Sequence, residues 1–452
     1  MIKDTIIANA TPLIPSAVSI IRISGDKALD IGKKLFKLPE SVEERRVYFG
    51  KITDSKGSVI DEGLFIFFKG PKSFTGEDVV EIYPHGSVPI VKRIIEEAVN
   101  LGARFAEPGE FTKRAFINGK IDLTQAEAIA DLIEAKSEKA SRIAVNILEG
   151  KLSERVKELR NSLIYIVSLI EAEINFPEDV EEVEPDLIKD GLSKVIEGID
   201  LLLKTYRKGE IVREGIKLAI VGRPNVGKSS LFNALVGYER AIVSEFRGTT
   251  RDFIEETLSI KGIPVKLLDT AGLRETKDKV ELIGIRKAKE KIEEADIVIF
   301  VFDLSEGITQ EDLNIYEQIK HKDPIIVGNK SDLIDKKELD IFRKKYYFKN
   351  VLFISTKLHK NLDQLEEEIF HKLGIIEDSD SEIYINLRHY KALEKAKNIL
   401  KKTVQNIDEL IRFKEILMLE ISEAEKHLEE ITGEITTEDI LENIFSRFCI
   451  GK

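Results

Sequence analysis

Lys217-Leu-Ala-Ile-Val-Gly-Arg-Pro-Asn-Val-Gly-Lys-Ser-Ser230 is the stretch that decides the fold of the middle of this chain. The run from Lys217 to Val221 reads as a buried strand. It ends at Gly222-Arg-Pro-Asn-Val-Gly-Lys-Ser229, which fits G-x-x-x-x-G-K-[ST] in a strand-loop-helix context. Gly222 and Gly227 let the backbone curl so that successive N–H groups, from Asn225 and Val226 to Ser230, face phosphate oxygens. The positive end of the following helix strengthens that pull. Lys228 then bridges the β- and γ-phosphates, and Ser229 ligates Mg²⁺.

Outward from this loop, strands alternate with helices from Ile216 to about Leu373. The strand candidates Lys217–Val221, Val265–Leu268, Ile297–Phe302, Ile325–Val327 and Val351–Ile354 are almost wholly apolar, as in a parallel sheet buried on both faces. Asp269-Thr270-Ala271-Gly272 follows the second of them, placing a carboxylate to hold Mg²⁺ through water and the Gly272 N–H near the γ-phosphate. Between these elements, Gly248-Thr249-Thr250 offers Thr250 as a second Mg²⁺ ligand that orders its loop only when the γ-phosphate is present.

Asn329-Lys330-Ser331-Asp332 follows the strand Ile325–Val327. The Asp332 carboxylate can accept from guanine N1–H and N2–H, a donor pair that adenine lacks, so the motif selects GTP over ATP. Ser355-Thr356-Lys357 after the last strand closes over the base. The alternative for the first element, a glycine turn with a chance Lys-Ser, is disfavoured by the strand before it and the helix after it, and five elements in GTPase order exclude it. Leu273 stands where Ras-type enzymes place the glutamine that orients the attacking water. The polar group must come from elsewhere, and Glu281, Arg251 and Arg274 are candidates, each otherwise a solvated surface charge.

With 452 residues the chain exceeds one core, since domains hold on the order of 100 to 200 residues, and two to four domains are expected. A composition of 42 % hydrophobic and 33 % charged residues is that of a soluble globular protein. Cys449 is the only cysteine, so no internal disulfide can form, and a reducing cytoplasm is the natural setting. The longest apolar run, Ile297–Phe302, falls far short of the roughly 20 residues of a membrane span. A formal charge of −12 argues against general affinity for nucleic acid, so a nucleic-acid substrate would need local basic patches.

Residues 1–118 mix strand-like runs (Ala17–Ile23, Gly63–Phe68, Asp78–Tyr83) with the helix Val88–Asn100, as in an α+β domain. Helical periodicity then marks Ala126–Glu149, Leu152–Ile174 and Leu187–Tyr206, and it returns in Arg388–Gln405, Glu409–Thr432 and Thr437–Phe448. The resulting fold class is multidomain α/β and α. An N-terminal α+β domain (1–118) is followed by a discontinuous helical bundle (119–212 and 376–452), with a P-loop, Ras-like G domain (213–375) inserted into it. The G domain holds a mostly parallel sheet.

Further segments carry a family resemblance. Asp4-Thr-Ile-Ile-Ala, Ile21-Arg-Ile-Ser-Gly25, Ser73-Phe-Thr-Gly-Glu-Asp78, Pro108-Gly-Glu-Phe111, Lys120-Ile-Asp-Leu-Thr-Gln-Ala-Glu-Ala-Ile-Ala-Asp131 and the terminal Phe448-Cys-Ile-Gly-Lys452 together resemble the MnmE (TrmE) family of tRNA-modification GTPases along the whole chain. The resemblance implies a homodimer through a folate-binding N-terminal domain. It also implies a flavin partner, MnmG (GidA), which brings FAD into a heterotetramer. Together the two install an aminomethyl or carboxymethylaminomethyl group on C5 of the wobble uridine of certain tRNAs, using 5-formyl- or 5,10-methylene-tetrahydrofolate.

By the same resemblance, K⁺ takes the place of an arginine finger, bound by the Asn225 side chain and by main-chain groups of Ser244, Phe246 and Thr249. Glu281 would position the attacking water through a second water. Folate would be held by Arg22, Glu81 and Lys120. This chain departs from the family near that pocket, with Leu13-Ile-Pro-Ser-Ala-Val18 in place of a glycine-rich turn and His85-Gly86-Ser87 in place of His-Gly-Gly. Cys449 is by default a buried inert hydrophobe, whereas its place in the terminal motif points to catalysis or tRNA handling, with Lys452 as the cation a thiolate needs. An RNA- or ribosome-binding switch without chemistry of its own is the competing reading. A membrane-acting mechanical GTPase would need a lipid anchor or basic amphipathic helix, and neither is evident.

Overall fold

The computed structural model describes residues 4–179, 182–238, 257–260, 263–268, 290, 292–335, 348, 350–374 and 383–452. They fall into two units, one formed by Met1–Ile133, Ala144–Asp200 and Arg388–Lys452, the other by Glu134–Ile143 and Leu201–Leu387.

Period-two alternation builds the sheet of the first unit. Its strands are β1 (Ile6–Asn9), β2 (Ile21–Ser24), β3 (Val47–Thr53), β4 (Val59–Phe68), β5 (Val79–Tyr83) and β6 (Arg104–Phe105), in the order β3-β4-β5-β2-β1-β6. Neighbours are antiparallel except β1 and β6. Ile21, Ile23, Phe65, Phe67, Val80 and Ile82 share one face, buried with the apolar stripes of the helices Ala28–Leu35 and Val88–Asn100. Arg22, Glu81 and Tyr83 alternate onto the other face.

The helical segments of this unit join across the chain. Lys151–Asn175 buries Leu152, Val156, Leu159, Leu163, Ile166 and Ile170, and Lys414–Thr432 buries Leu417, Ile421, Ala424, Leu428 and Ile431, each set at helical spacing. Arg160 fastens the two, pairing with Glu425 at 3.0 Å and also with Glu429 and Glu434. The expected helix Ala126–Glu149 is two helices, Leu123–Glu134 and Glu138–Leu148, because Ser137 Oγ accepts the Ala140 N–H at 3.1 Å and caps the second. Glu409–Thr432 is likewise divided, into Ile407–Leu410 and Lys414–Thr432.

The second unit is a doubly covered sheet. Its strands are β7 (Ile216–Val221), β8 (Thr257–Ile260), β9 (Ile263–Leu268), β10 (Ile297–Asp303), β11 (Ile325–Asn329) and β12 (Leu352–Phe353), in the order β12-β11-β10-β7-β9-β8. All pairs are parallel except β8 with β9. Leu231, Leu235, Leu365 and Ile369 cover one face, and Ile315, Ile319 and Phe348 the other, which is why every residue of β10 is buried. Among the described residues no helix is long and apolar enough to cross a membrane.

Candidate functional site

At the C-terminal end of β7 the chain enters the glycine loop and then the helix Lys228–Tyr238. Asn225 sits at φ +65°, the left-handed conformation that its short amide tolerates. Gly227 is required twice over: its φ is +99°, and a Cβ there would lie 2.2 Å from Asn329 Nδ2. Lys228 Nζ donates to the carbonyls of Gly222 (2.7 Å) and Arg223 (2.6 Å), so its charge lies over the loop. Asn225, Ser229 and Ser230 are exposed at the rim, and Val226 is buried beneath.

Two further loops are tied to this one. Asn329 Nδ2 donates to the Val226 carbonyl at 2.9 Å, and Asn329 Oδ1 accepts from the Thr356 N–H at 3.2 Å. Ser355 Oγ donates to Asp332 Oδ1 at 2.6 Å, which leaves the other carboxylate oxygen for a guanine edge. Lys330, at φ +63°, sends its ammonium to the buried carboxylate of Asp303 at the end of β10. Burial alone would raise the Asp303 carboxyl, but hydrogen bonds from Lys330 and Ser305 outweigh it and hold the group below the usual carboxylate range. Lys357 is exposed at the edge.

The structure thus gathers Asn225, Val226, Gly227, Lys228, Ser229, Ser230, Asn329, Lys330, Asp332, Ser355 and Thr356 around the carboxyl ends of parallel strands, where such sheets bind ligands. Ser244, Phe246, Thr249, Thr250, Asp269, Thr270, Ala271, Gly272 and Glu281, with Arg251, Leu273 and Arg274, lie outside the described residues. Asp303 escaped the sequence reading, although an acid closing the apolar run Ile297–Phe302 was a signal for it. Arg223 escaped too; its guanidinium pairs with the buried Asp312 at 2.8 Å and with Glu306 at 2.9 Å.

A second constellation lies on the sheet of the other unit. Arg22 and Glu81 are direct cross-strand partners on β2 and β5, and Arg22 Nε meets Glu81 Oε1 at 2.8 Å. Tyr83, two residues on and therefore on the same face, donates its hydroxyl to Glu81 Oε2 at 2.6 Å. Burial and then the Glu81 carboxylate push the Tyr83 phenol up, so it remains a donor. The Arg22 guanidinium lies over the rings of Phe74 (5.4 Å) and Phe111 (5.6 Å). Lys120 Nζ donates to the carbonyl of Pro71, at the start of the loop that carries Phe74. Tyr83 escaped the sequence reading, although its place two residues after Glu81 in the strand Asp78–Tyr83 was a signal for it.

Buried charge holds this region in place. Arg114, 1 % exposed, reaches Asp4 (2.6 Å), Glu110 (2.9 Å) and Glu77 (3.2 Å), locking the helix Glu110–Ile117 that carries Phe111. The C-terminal tail also docks here. Ile450 bridges Pro108, Lys452 O accepts the Phe111 N–H at 3.2 Å, and the Gly451 carbonyl lies 3.5 Å from Arg22 Nη1. Cys449 is exposed, which corrects its default reading as a buried hydrophobe. Phe445 and Phe448 take the burial instead, packed against Leu123 and Ala126.

Two family models match the chain: "GTP-binding protein TrmE N-terminus" over residues 5–120 and "MnmE helical domain" over residues 123–449. A curated relative named tRNA modification GTPase MnmE, from Aquifex aeolicus, is 51 % identical over 100 % of both chains. Another of that name, from Desulforamulus reducens, is 44 % identical, again over 100 % of both. Among solved structures, an Era variant from Aquifex aeolicus bound to GDP·AlF4⁻ is 32 % identical over 41 % of this chain and 66 % of its own, with a TM-score of 0.29.

Proposed function

The chain belongs to the MnmE family of tRNA modification GTPases, and from that premise we propose that its GTP hydrolysis drives addition of an aminomethyl or carboxymethylaminomethyl group to C5 of wobble uridines. The observation that carries this reading is the seating of the Cys449–Lys452 tail beside Arg22 and Glu81. An exposed thiol, a fixed carboxylate and two cations occur together in a unit that holds no part of the glycine loop.

The residues present suit a heterocycle with paired N–H donors that carries anionic groups elsewhere. Glu81, its two oxygens fixed by Arg22 and Tyr83, can accept a pair of pterin N–H groups; Arg22 and Lys120 can take anionic groups, with Phe74 alongside. Bound there, a 5-formyl- or 5,10-methylene-tetrahydrofolate would supply the one-carbon unit, and MnmG would bring FAD. The outer face of the same sheet exposes Val47 (54 %), Phe49 (73 %) and Leu64 (39 %), apolar surface suited to a second copy of the chain.

In the other unit, Lys228 and the N–H groups from Asn225 to Ser230 would hold the GTP phosphates. Ser229 and Thr250 would hold Mg²⁺, and Asn225, Ser244, Phe246 and Thr249 would hold K⁺. All are oxygen donors, as hard cations prefer. A cation beside the β–γ bridging oxygen stabilises charge that grows in the transition state, and Glu281 would position water in place of the glutamine that Leu273 displaces. The reaction belongs in the cytoplasm, where tRNA and GTP meet.

The decisive experiment is mass spectrometry of wobble uridines from cells with and without this chain. Loss of the C5 substituent is expected, and unchanged uridines would sink the proposal in favour of an RNA-binding switch. GTP turnover should also rise in K⁺ relative to Na⁺, and Glu281→Ala should lower kcat by about 100-fold or more with little change in nucleotide affinity. Equal rates in both salts would remove K⁺ from the mechanism.

A further inference from the structure

In a chain of formal charge −12, the helix Leu387–Gln405 stands apart, with six Lys or Arg against a single Glu. Two of the six are engaged: Arg388 meets Glu127 at 2.8 Å, and Lys397 pairs with Asp200. Ala392, Leu393, Ala396 and Leu400 face the core. Lys391, Lys395, Asn398 and Lys402 lie on another face at i, i+4, i+7 and i+11, all exposed, with exposed Lys401 beside them. None of the four lysines enters an ion pair among the described residues. Glu394, the helix's own acid, is engaged by the Tyr390 hydroxyl at 3.3 Å, and Glu420 of the neighbouring helix accepts the Thr403 hydroxyl at 2.8 Å.

Helix stability does not account for this row. Cations favour the last turn of a helix, which explains Lys402, but Lys391 sits near the N-terminus, where the helix dipole opposes a positive charge. Solubility does not account for it either, because mixed signs serve that purpose as well and the rest of the chain is acidic. From Lys391 to Lys402 the row spans roughly 17 Å at 1.5 Å per residue, long enough to meet several successive phosphates of one strand.

We propose that Lys391, Lys395, Lys401 and Lys402 form the surface on which the sugar-phosphate backbone of the RNA substrate docks, an assignment that rests on the tRNA-modification reading above. The contacts are ion pairs to phosphate, with Asn398 able to donate to phosphate or ribose oxygens. They position the RNA without reading its bases.

The test compares the full-length chain with Lys391→Gln/Lys395→Gln/Lys402→Gln, which removes charge and keeps good helix formers. The comparison variant Lys33→Gln/Lys34→Gln/Lys37→Gln removes equal charge from exposed positions of the N-terminal domain. Binding of a labelled unmodified tRNA transcript is followed by anisotropy across a salt series. The helix variant should bind at least about tenfold more weakly, and its plot of log affinity against log salt should be shallower by about 2 to 3, at 0.7 to 0.9 per lost phosphate contact. The comparison variant should match wild type, and GTP turnover should be unchanged in both. Equal slopes for wild type and helix variant, or no tRNA binding by wild type, overturn the proposal. So does loss of cellular wobble-uridine modification with tRNA binding intact, which would make the row a docking face for an acidic protein. If wild type binds as expected but its absence from cells leaves wobble uridines unchanged, the functional reading fails and the RNA surface stands.

Discussion

The carboxamide of Asn329 joins two loops that the chain separates widely, donating to the Val226 carbonyl and accepting from the Thr356 N–H. It is 1 % exposed, so water cannot replace either bond. Asn329→Ala leaves both groups without a partner and should cost about 1–3 kcal/mol of unfolding free energy. GTP affinity should fall with it, because the glycine loop and the base loop lose their brace. An unchanged melting temperature together with unchanged affinity would show that the brace is dispensable. Asp303 makes a pH-dependent contribution. Its carboxyl is held below the ordinary range, so its stabilisation is fully present above about pH 4 and is lost as pH falls through the lowered value. Asp303→Asn should therefore destabilise the protein by about 1–3 kcal/mol at pH 7, and the gap from wild type should close in acid; a constant gap would contradict the pairing with Lys330. The motif residues were legible because phosphate and guanine chemistry dictates their types. Asp303 was not, since its partner Lys330 follows the neighbouring strand β11 and only strand order brings the two together; Tyr83 shares the face of Glu81 by alternation along one strand, but nothing in its residue type singles it out.

Secondary structure was most legible where periodicity ran uninterrupted. Val88–Asn100 begins and ends at the expected residues, its buried Val91, Ile94, Ile95 and Ala98 at spacings only a helix satisfies. The strand β3 was hidden because Gly50 and Lys51 interrupt its apolar pattern, and Ser137 broke a helix whose periodicity continued through it. At this scale the strongest test is Arg388, which joins three helices. Its guanidinium pairs with Glu127 of Leu123–Glu134 and donates to the carbonyls of Glu430 (2.6 Å) and Ile431 (2.9 Å) at the end of Lys414–Thr432. Burial would raise the Glu127 carboxyl, but the charges of His389 and Arg388 prevail and hold it far below its ordinary range. Arg388→Ala should cost about 3–5 kcal/mol at neutral pH, since it removes one of two charged partners of the Glu127 carboxylate and leaves His389, 2.8 Å away, to hold it. Because Glu127 is depressed, that cost should shrink as pH falls below about 4. Urea unfolding at pH 7 and pH 3 measures both; a loss under about 1 kcal/mol at pH 7 would mean that His389 alone suffices.

At the scale of the whole chain, the glycine loop belongs to one compact unit and the Arg22–Glu81 constellation to the other, so the two can be perturbed separately. Gly451 offers the cleanest handle. Its φ is +100°, and a Cβ there would lie 2.3 Å from the Asn9 carbonyl oxygen and 2.9 Å from Ala10 Cα. Both obstacles are backbone at the end of β1, so in Gly451→Ala it is the tail that must move, taking Cys449 and the Lys452 bond to Phe111 with it. A displacement of about 1 Å at a reacting group can cost on the order of 100-fold in rate. Wobble-uridine modification should fall by about that factor, while GTP turnover by the same variant stays at the wild-type rate. Ile450→Ala, at a side chain 59 % exposed, leaves the backbone path of the tail intact and should modify normally. Equal modification by both variants would mean that the tail's seat beside Arg22 has no part in the chemistry. A parallel loss of GTP turnover in Gly451→Ala would mean instead that the tail acts on the nucleotide cycle.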